Sequence, residues 1–375
     1  MEREVEQISS TGLSAVMLMF MVGTPLTVPL AAVAGHDAWI SILFSMILSS
    51  GIVWVYTHLC QLYPGKSLVE IGGELFGAWV GRLLGLCYAW YSFHLGFLVL
   101  RAFVEFILMV ALHKTPPFVI SAVMMGLVIW VTYAGIEVIS RCSVPLVVFV
   151  VLEGILSLIL MGKDFQLDNL LPVVDLGWRP IFQGMTELVG FPFGETILFA
   201  MVIPHINIIG QAKKTMLWTL IIAGLLLLLV NVRNTLILGE LSSKLIYPSF
   251  TAYQYISIAD FFDRIEPIEI LSWMMGGFIK ISICLYVCAK SLSWALSSKQ
   301  YRTYLFPLSL LMLEFSFLVY QSNTELIQFA TKVWQWYSVP FQIIIPLVIL
   351  LIVLVTKRKR KLILSESNSS KVTEE

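Results

Sequence analysis

The sequence contains little charge and few of the patterns that build catalytic or metal centres. Only 13% of its 375 residues are charged, and 24 basic and 24 acidic side chains give a net charge of zero. A chain with no basic excess is not expected to bind nucleic acid. No Gly-rich phosphate loop, His-Glu-x-x-His pair or Cys/His cluster occurs. We therefore predict no enzyme, no cofactor and no metal site.

Cysteine is also scarce. The five cysteines lie far apart except for Cys284 and Cys288, which are one helical turn apart. No histidine lies near that pair in the sequence, so a metal site there is not expected. The spacing predicts free thiols and no disulfide framework.

Long apolar segments dominate the chain. It is 58% hydrophobic with a mean hydropathy of +0.87, which is typical of helical membrane proteins. Each apolar segment is near the ~20 residues that cross a bilayer. We predict an all-α polytopic membrane protein with about ten transmembrane helices, namely Leu13–Ala34, Trp39–Leu59, Leu83–Val110, Phe118–Val138, Val144–Met161, Met185–Pro204, Met216–Leu238, Ile270–Leu296, Tyr304–Tyr320 and Val339–Val355.

Two short helices are predicted outside these spans, an interfacial one around Leu68–Phe76 and a surface one at Ile258–Ile265. An even number of spans leaves both termini on one side of the membrane. Five consecutive basic residues, Lys357–Lys361, follow the last span, and the positive-inside rule assigns them to the cytoplasm. We predict a membrane domain over residues 1–356 and a basic, then polar, cytoplasmic tail over 357–375.

Two of the predicted spans are interrupted. Gly23–Pro25 interrupts the first, and Gly190–Glu195 interrupts the sixth. Such breaks persist at membrane depth only where protein or a wet cavity satisfies the freed backbone groups. Because the breaks lie five spans apart, they indicate a five-plus-five inverted repeat, about 11–161 and 185–356, with a binding site between the broken helices. The alternative is that each proline only kinks a packed helix.

Several short motifs, in order along most of the chain, resemble the B-type subunit of endospore germinant receptors. This spore germination permease family is a branch of the amino acid–polyamine–organocation transporter superfamily. The motifs are Asp37-Ala38-Trp39-Ile40, Tyr133-Ala134-Gly135-Ile136-Glu137 with Arg141, Asn169-Leu170-Leu171-Pro172, Phe193-Gly194-Glu195 with Pro204, the segment from Ile258 to Glu266, and Trp273 with Gly277-Phe278-Ile279-Lys280.

The resemblance implies a receptor complex in the spore inner membrane, with an A-type membrane subunit and a C-type lipoprotein subunit as partners. The B-type subunit would bind a small nutrient, an amino acid or sugar, and signal germination. Two alternatives stay open: a proton- or sodium-linked amino acid permease, and a scaffold that only holds the partner subunits.

The candidate ligand-binding residues are those of the two breaks and one aromatic residue of the third span. They are Gly23, Thr24, Pro25, Gly190, Phe191, Pro192, Phe193, Gly194, Glu195 and Tyr91. Backbone donors at the helix starts favour a ligand carboxylate, whereas Glu195 favours a ligand ammonium. The sequence leaves both possibilities open. Tyr286 of the eighth span is a further candidate for the pocket wall, although plain packing also explains such residues.

Several charged residues fall within the spans and are expected to face the bundle interior or to pair. They are Arg101, Glu105, Glu153, Glu195, Arg233, Lys280 and Glu314. Arg101 and Glu105, one turn apart, are expected to pair with each other. Arg233 is expected to reach towards the interface from its helix end.

We group Arg101, Glu105, Glu153 and Lys280 as an intramembrane charge network. Lys280 has no acidic residue one turn away, so its partner must come from another helix, and Glu153 and Glu195 are the candidates. Sodium-coupled proteins of the resembled fold hold a sodium ion near this part of the eighth span. The resemblance therefore implies that the Lys280 ammonium replaces such a cation.

Overall fold

The computed structural model describes residues 6–254, 266–298, 300–320 and 322–356. In these residues the chain is almost entirely helical, and the only strand-like pairing is an isolated parallel bridge between Ile8 and Ile206. Both the predicted surface helix at Ile258–Ile265 and the predicted tail over 357–375 lie outside the described residues.

The first half contains six α-helices. They are α1 (Ser10–Val22), α2 (Ala38–Leu62), α3 (Leu68–Phe76), α4 (Ala78–Val110), α5 (Pro117–Ala134) and α6 (Ile136–Met161). The short helix α3 has the bounds predicted from the sequence, and Ser67 and Glu70 form a capping box at its start.

The second half, like the first, begins with an interrupted span. Its helices are α7 (Trp178–Leu188), α8 (Ile209–Leu238), α9 (Leu241–Lys244), α10 (Pro248–Gln254), α11 (Glu266–Ala295), α12 (Arg302–Leu318), α13 (Asn323–Gln328) and α14 (Trp334–Val339). The last two belong to one helical segment, Asn323–Thr356.

Seven helices of the described chain are long and apolar enough to cross a membrane. Three further segments bring the number of spans to the predicted ten: the interrupted first span, the interrupted sixth span and the 17-residue α12. The fold is an all-α, five-plus-five inverted-repeat membrane fold, as predicted. α11 lies at its centre and packs along α4, α1, α5 and α6.

The boundary between the fourth and fifth spans was predicted wrongly. α5 ends at Ala134 and α6 begins at Ile136, whereas the sequence suggested Val138 and Val144. Gly135 separates the two helices with a φ of +101°, a backbone conformation that residues other than glycine rarely adopt. Glu137 and Arg141 therefore form an ion pair in the first turns of α6 instead of closing α5.

Glu314 was also placed wrongly. We expected it to face the bundle interior or to pair, but it is exposed on α12. The buried face of this helix is formed by residues spaced three or four apart, from Leu305 to Ser316, and Glu314 lies on the opposite face.

Candidate ligand-binding site

The first break begins where α1 ends. Gly23 closes the helix, and the chain is non-helical until a 3₁₀ segment starts at Ala32. The Gly23 backbone lies directly against the Gly276 backbone of α11, and a Cβ atom on either glycine would collide with the other. Two glycines therefore allow the end of α1 to contact α11 without intervening side chains.

The second break follows α7. Phe191 has non-helical dihedral angles (φ −148°, ψ 122°), and a 3₁₀ segment runs from Gly194 to Met201. A Cβ atom on Gly190 would lie 2.8 Å from the Gln335 Cα. A Cβ atom on Gly194 would collide with the Gln342 amide and the Val189 carbonyl. Glycine is required at both positions by the close approach of the last helical segment.

A buried ion pair joins the second break to α11. Glu195 and Lys280 are both fully buried, and the Glu195 Oε2 lies 2.6 Å from the Lys280 Nζ. Lys280 also donates a hydrogen bond to the Thr24 hydroxyl of the first break, at 3.3 Å. The Nζ lies 4.6 Å from the ring centroid of Phe191 and 5.0 Å from that of Phe20. One ammonium group thus links both breaks within an aromatic enclosure.

An amide on the last helical segment completes the site. The Gln342 Nε2 donates to the Tyr91 hydroxyl and to the Gly190 carbonyl, both at 2.8 Å. The second bond satisfies a backbone acceptor that the break leaves free. Tyr91 stacks between Trp334 and Phe341, with ring centroids 5.6 and 5.0 Å away.

Three polar groups around this centre have no hydrogen-bond partner among the described residues. Glu195 contributes its two acceptor oxygens, of which Oε2 also forms the ion pair with Lys280. Gln342 contributes its Oε1, and Trp334 contributes its indole N–H, which faces Glu195. The acceptors of Glu195 and Gln342 and the donor of Trp334 therefore lie close together. Buried polar groups normally have hydrogen-bond partners, so these three are candidates to contact a ligand.

The predicted charge network separates into three parts. Arg101 and Glu105 pair with each other at 2.7 Å on α4, as expected. Lys280 pairs with Glu195, not with Glu153. Glu153 lies instead beside Glu269 of α11 and Arg233 of α8.

Arg233 does not reach towards the interface. Only 2% of it is exposed, and it donates to Ser157 at 2.7 Å and to Asn234 at 2.9 Å. The expectation that Arg233 reaches the interface was wrong because α9 and α10 pack against α8.

Tyr286 does not line the centre. Its hydroxyl donates to Glu6 at 2.8 Å, at the N-terminal end of the bundle, and the Tyr301 hydroxyl donates to the same carboxylate at 2.7 Å. Burial raises the pKa of Glu6, but the Lys290 ammonium and the two hydroxyls outweigh it and hold that pKa below its usual value. Glu6 thus fastens the N-terminal segment across this end of α11.

Three residues of this site, Gln342, Trp334 and Gly276, were not predicted from the sequence. A detectable signal existed for two of them. Gln342 is a lone amide near the start of a long apolar run, and Gly276 belongs to a glycine pair within the eighth span. Only the structure shows that they meet the two breaks.

Comparison with known families matches the model described as "Spore germination protein" to residues 7–325. The chain belongs to this family. Spore germination protein KB of Bacillus subtilis (strain 168) is 30% identical over 363 residues, which cover 96% of this chain and 97% of that protein. Membership agrees with the resemblance seen in the motifs, and the chain is a multi-pass membrane protein.

Two solved transporter structures illustrate the likeness in fold. Mhp1, a nucleobase-cation-symport-1 family transporter in a closed conformation with bromovinylhydantoin bound, aligns with a TM-score of 0.71 at 13% identity. The alignment covers 91% of this chain and 78% of Mhp1. A Na⁺-coupled sialic acid symporter aligns with a TM-score of 0.63 at 13% identity, over 86% of this chain and 78% of the symporter. At such low identity the likeness concerns the fold alone.

Proposed function

We propose that this chain is the nutrient-binding membrane subunit of a spore germinant receptor. It binds a small germinant of the amino acid or sugar class between the two broken helices and passes a conformational change to an A-type membrane subunit and a C-type lipoprotein subunit. It resides in the spore inner membrane with both termini in the cytoplasm. Family membership and the transporter fold support this proposal.

The observation that carries the proposal is the meeting of both breaks at Lys280. Its ammonium contacts Glu195 of the second break and Thr24 of the first. A ligand that competes for either contact alters how the two halves of the fold are held together. Ligand binding shifts a conformational equilibrium only through such differential contacts.

The polar groups at the centre favour an amino acid over a sugar. The Glu195 and Gln342 oxygens are acceptors suited to a ligand ammonium, and the Trp334 indole N–H is a donor suited to a ligand carboxylate. A zwitterion presents both groups within a few ångströms. The surrounding rings of Phe20, Phe191 and Tyr91 suit an apolar side chain.

The alternative function is a proton- or sodium-linked amino acid permease. The transporter fold is the observation that favours it. The two functions differ in one measurable respect, because a permease must release its ligand on the far side of the membrane whereas a sensor need only bind it.

The test measures binding and uptake of radiolabelled amino acids and sugars by the purified chain in liposomes. Gly194→Leu fills the space that the Gln342 amide occupies, and it is expected to abolish binding. Gly126→Leu is the matched control, because a Cβ atom there meets no other atom within 4 Å.

Saturable binding without accumulation, lost in Gly194→Leu and kept in Gly126→Leu, would support the sensor. Accumulation against a gradient would establish the permease instead, and its dependence on sodium would count against a cation role for Lys280. Binding that both variants retain would place the ligand elsewhere in the molecule.

A further inference from the structure

A second buried charge cluster lies away from the candidate ligand site. It consists of Glu153 on α6, Arg233 on α8 and Glu269 on α11, which are 6%, 2% and 2% exposed. Glu269 precedes Lys280 by eleven residues on α11, about 16 Å along a helix that rises 1.5 Å per residue. The cluster therefore lies towards the end of the bundle opposite to the N-terminus.

The two carboxyl groups of this cluster face each other. The Glu153 and Glu269 side chains are within hydrogen-bonding reach of one another, and Arg233 faces both. The direct hydrogen bonds of the guanidinium go elsewhere, to Ser157 and Asn234, and it stacks 5.2 Å from the Tyr253 ring centroid. Arg233 thus supplies charge to the pair without separating the two carboxyls.

Among the residues that the structure describes, the charges of this cluster do not balance. Two ionised carboxylates and one guanidinium leave one negative charge, and the other described groups that contact the cluster are neutral. These are Thr27, which donates to Glu269 at 2.9 Å, and Ser157, Asn234, Tyr253 and Ser272. An unpaired buried charge costs several kcal/mol, so such a group normally becomes neutral instead.

The Glu153 carboxyl lies within hydrogen-bonding reach of the fully buried Ser272 hydroxyl. Among the described residues, neither the Glu153 Oε1 nor the Ser272 hydroxyl has a partner with full hydrogen-bond geometry. Two facing carboxylates cannot bond to each other, because both are only acceptors. A single proton between them turns the contact into a hydrogen bond and removes the excess charge.

We propose that Glu153 and Glu269 form a proton-binding site, holding one proton between their carboxyl groups while Arg233 balances the remaining negative charge. The proton comes from water and returns to water when the site opens. A metal ion is a poorer occupant, since a guanidinium already faces both carboxyls. No group of three or more His, Cys, Asp or Glu side chains suited to a metal occurs in the described ranges.

The proton-binding site shares hydrogen bonds with the segments that close this end of the bundle. Thr27 belongs to the non-helical segment that follows α1, and it bonds to Glu269. The neighbouring Leu26 carbonyl accepts a hydrogen bond from Ser249 of α10 at 2.5 Å, and Ser249 also accepts one from Asn234, the residue next to Arg233. Opening this end must break these contacts, which would expose the carboxyls to water and release the proton.

The test is infrared spectroscopy of the purified full-length chain in lipid nanodiscs at neutral pH. A protonated carboxylic acid has a carbonyl band, absent from ionised carboxylates, that shifts in deuterium oxide. The wild type is expected to show this band. In Glu153→Gln and in Glu269→Gln the band is expected to weaken by the intensity of one carboxylic acid. Glu105→Gln is the matched control, because Glu105 pairs with Arg101 and should leave the band unchanged.

A wild-type spectrum with no protonated carboxyl band would overturn the proposal without any variant. A band that both glutamine variants retain would overturn it as well. So would a band that disappears when sodium replaces choline, because that result would indicate a sodium site.

Stability provides a second readout. Both carboxyls are ionised in the unfolded chain at neutral pH, so folding takes up one proton. The folding equilibrium constant of the wild type is then expected to fall about tenfold per pH unit as pH rises through neutrality, until the site loses its proton. Glu269→Gln is expected to remove this slope, and an unchanged slope in that variant would contradict the proposal.

Discussion

Removing one partner of the Lys280–Glu195 pair is expected to destabilise the protein far more than removing both. The two side chains are fully buried and their charged atoms are 2.6 Å apart. Lys280→Met leaves a carboxylate at the centre of the bundle with no counter-charge, and Glu195→Leu leaves an ammonium. Breaking a buried pair in this way costs about 3–5 kcal/mol. That corresponds to roughly 10²–10⁴-fold in the folding equilibrium constant.

The double variant Glu195→Leu/Lys280→Met should recover most of this loss. Its side chains have volumes similar to the originals and leave no buried charge, so we expect a stability within about 1–2 kcal/mol of the wild type. The coupling energy between the two positions is then about 4 kcal/mol or more. The more exposed pair Arg101–Glu105, changed to methionine and leucine in the same way, should give a much smaller coupling.

The free cysteines of the chain provide an assay. Cys60, Cys284 and Cys288 are buried, so a thiol-reactive dye labels them only when the protein unfolds. Unfolding of each variant in detergent can be followed by the gain of fluorescence on heating. Losses that simply add in the double variant would contradict this prediction, because they would mean that the ion pair does not couple α11 to the second break.

Three further perturbations follow from named contacts. Gly23→Ala drives a methyl group into Gly276 and should cost about 1–3 kcal/mol, whereas Gly126→Ala should cost nothing in the same unfolding assay. Gln342→Leu leaves the Gly190 carbonyl unpaired, which should cost about 1–3 kcal/mol and weaken ligand binding in liposomes. Glu6 has a lowered pKa, so its ionised carboxylate stabilises the folded state, by an amount of order 1 kcal/mol after solvent screening. This stabilisation should be complete at neutral pH and lost as pH falls below about 4. The melting temperatures of wild type and Glu6→Gln should therefore converge in acid.

Much of the fold could be predicted because the bilayer constrains local sequence so strongly. Apolar length identified the spans, and Gly and Pro located both breaks, at Gly23 and at Gly190–Gly194. The pairing of Arg101 with Glu105 was also predictable, since both lie on one helix face. In each case the decisive interaction lies within one turn or one segment of the chain.

Partner choice between helices could not be predicted in this way. Glu153 and Glu195 were equal candidates for Lys280, because hydropathy does not reveal which helices face each other. The structure turns α6 so that Glu153 meets Glu269 and Arg233. Gln342 was missed for the same reason, since its importance depends on contact with Gly190, 152 positions earlier in the chain.

The two polar sites are connected through one face of α11. Lys280 and Glu269 are eleven residues apart, close to three full turns, so they lie on the same side of the helix. Along that face the first break is held at three points, by Lys280 to Thr24, by the glycine contact of Gly276, and by Glu269 to Thr27.

Because of these three contacts, the first break and α11 either move together or lose all three contacts at once. The glycine contact tolerates no added atom, so a ligand that draws Thr24 away from Lys280 must also shift the chain that carries Thr27. A shift of Thr27 removes a hydrogen bond from Glu269 and disturbs the carboxyl pair with Glu153. A germinant bound at the proposed central site would then change the proton occupancy of the Glu153–Glu269 pair, and reciprocity requires that the proton alter the affinity for that ligand by the same factor.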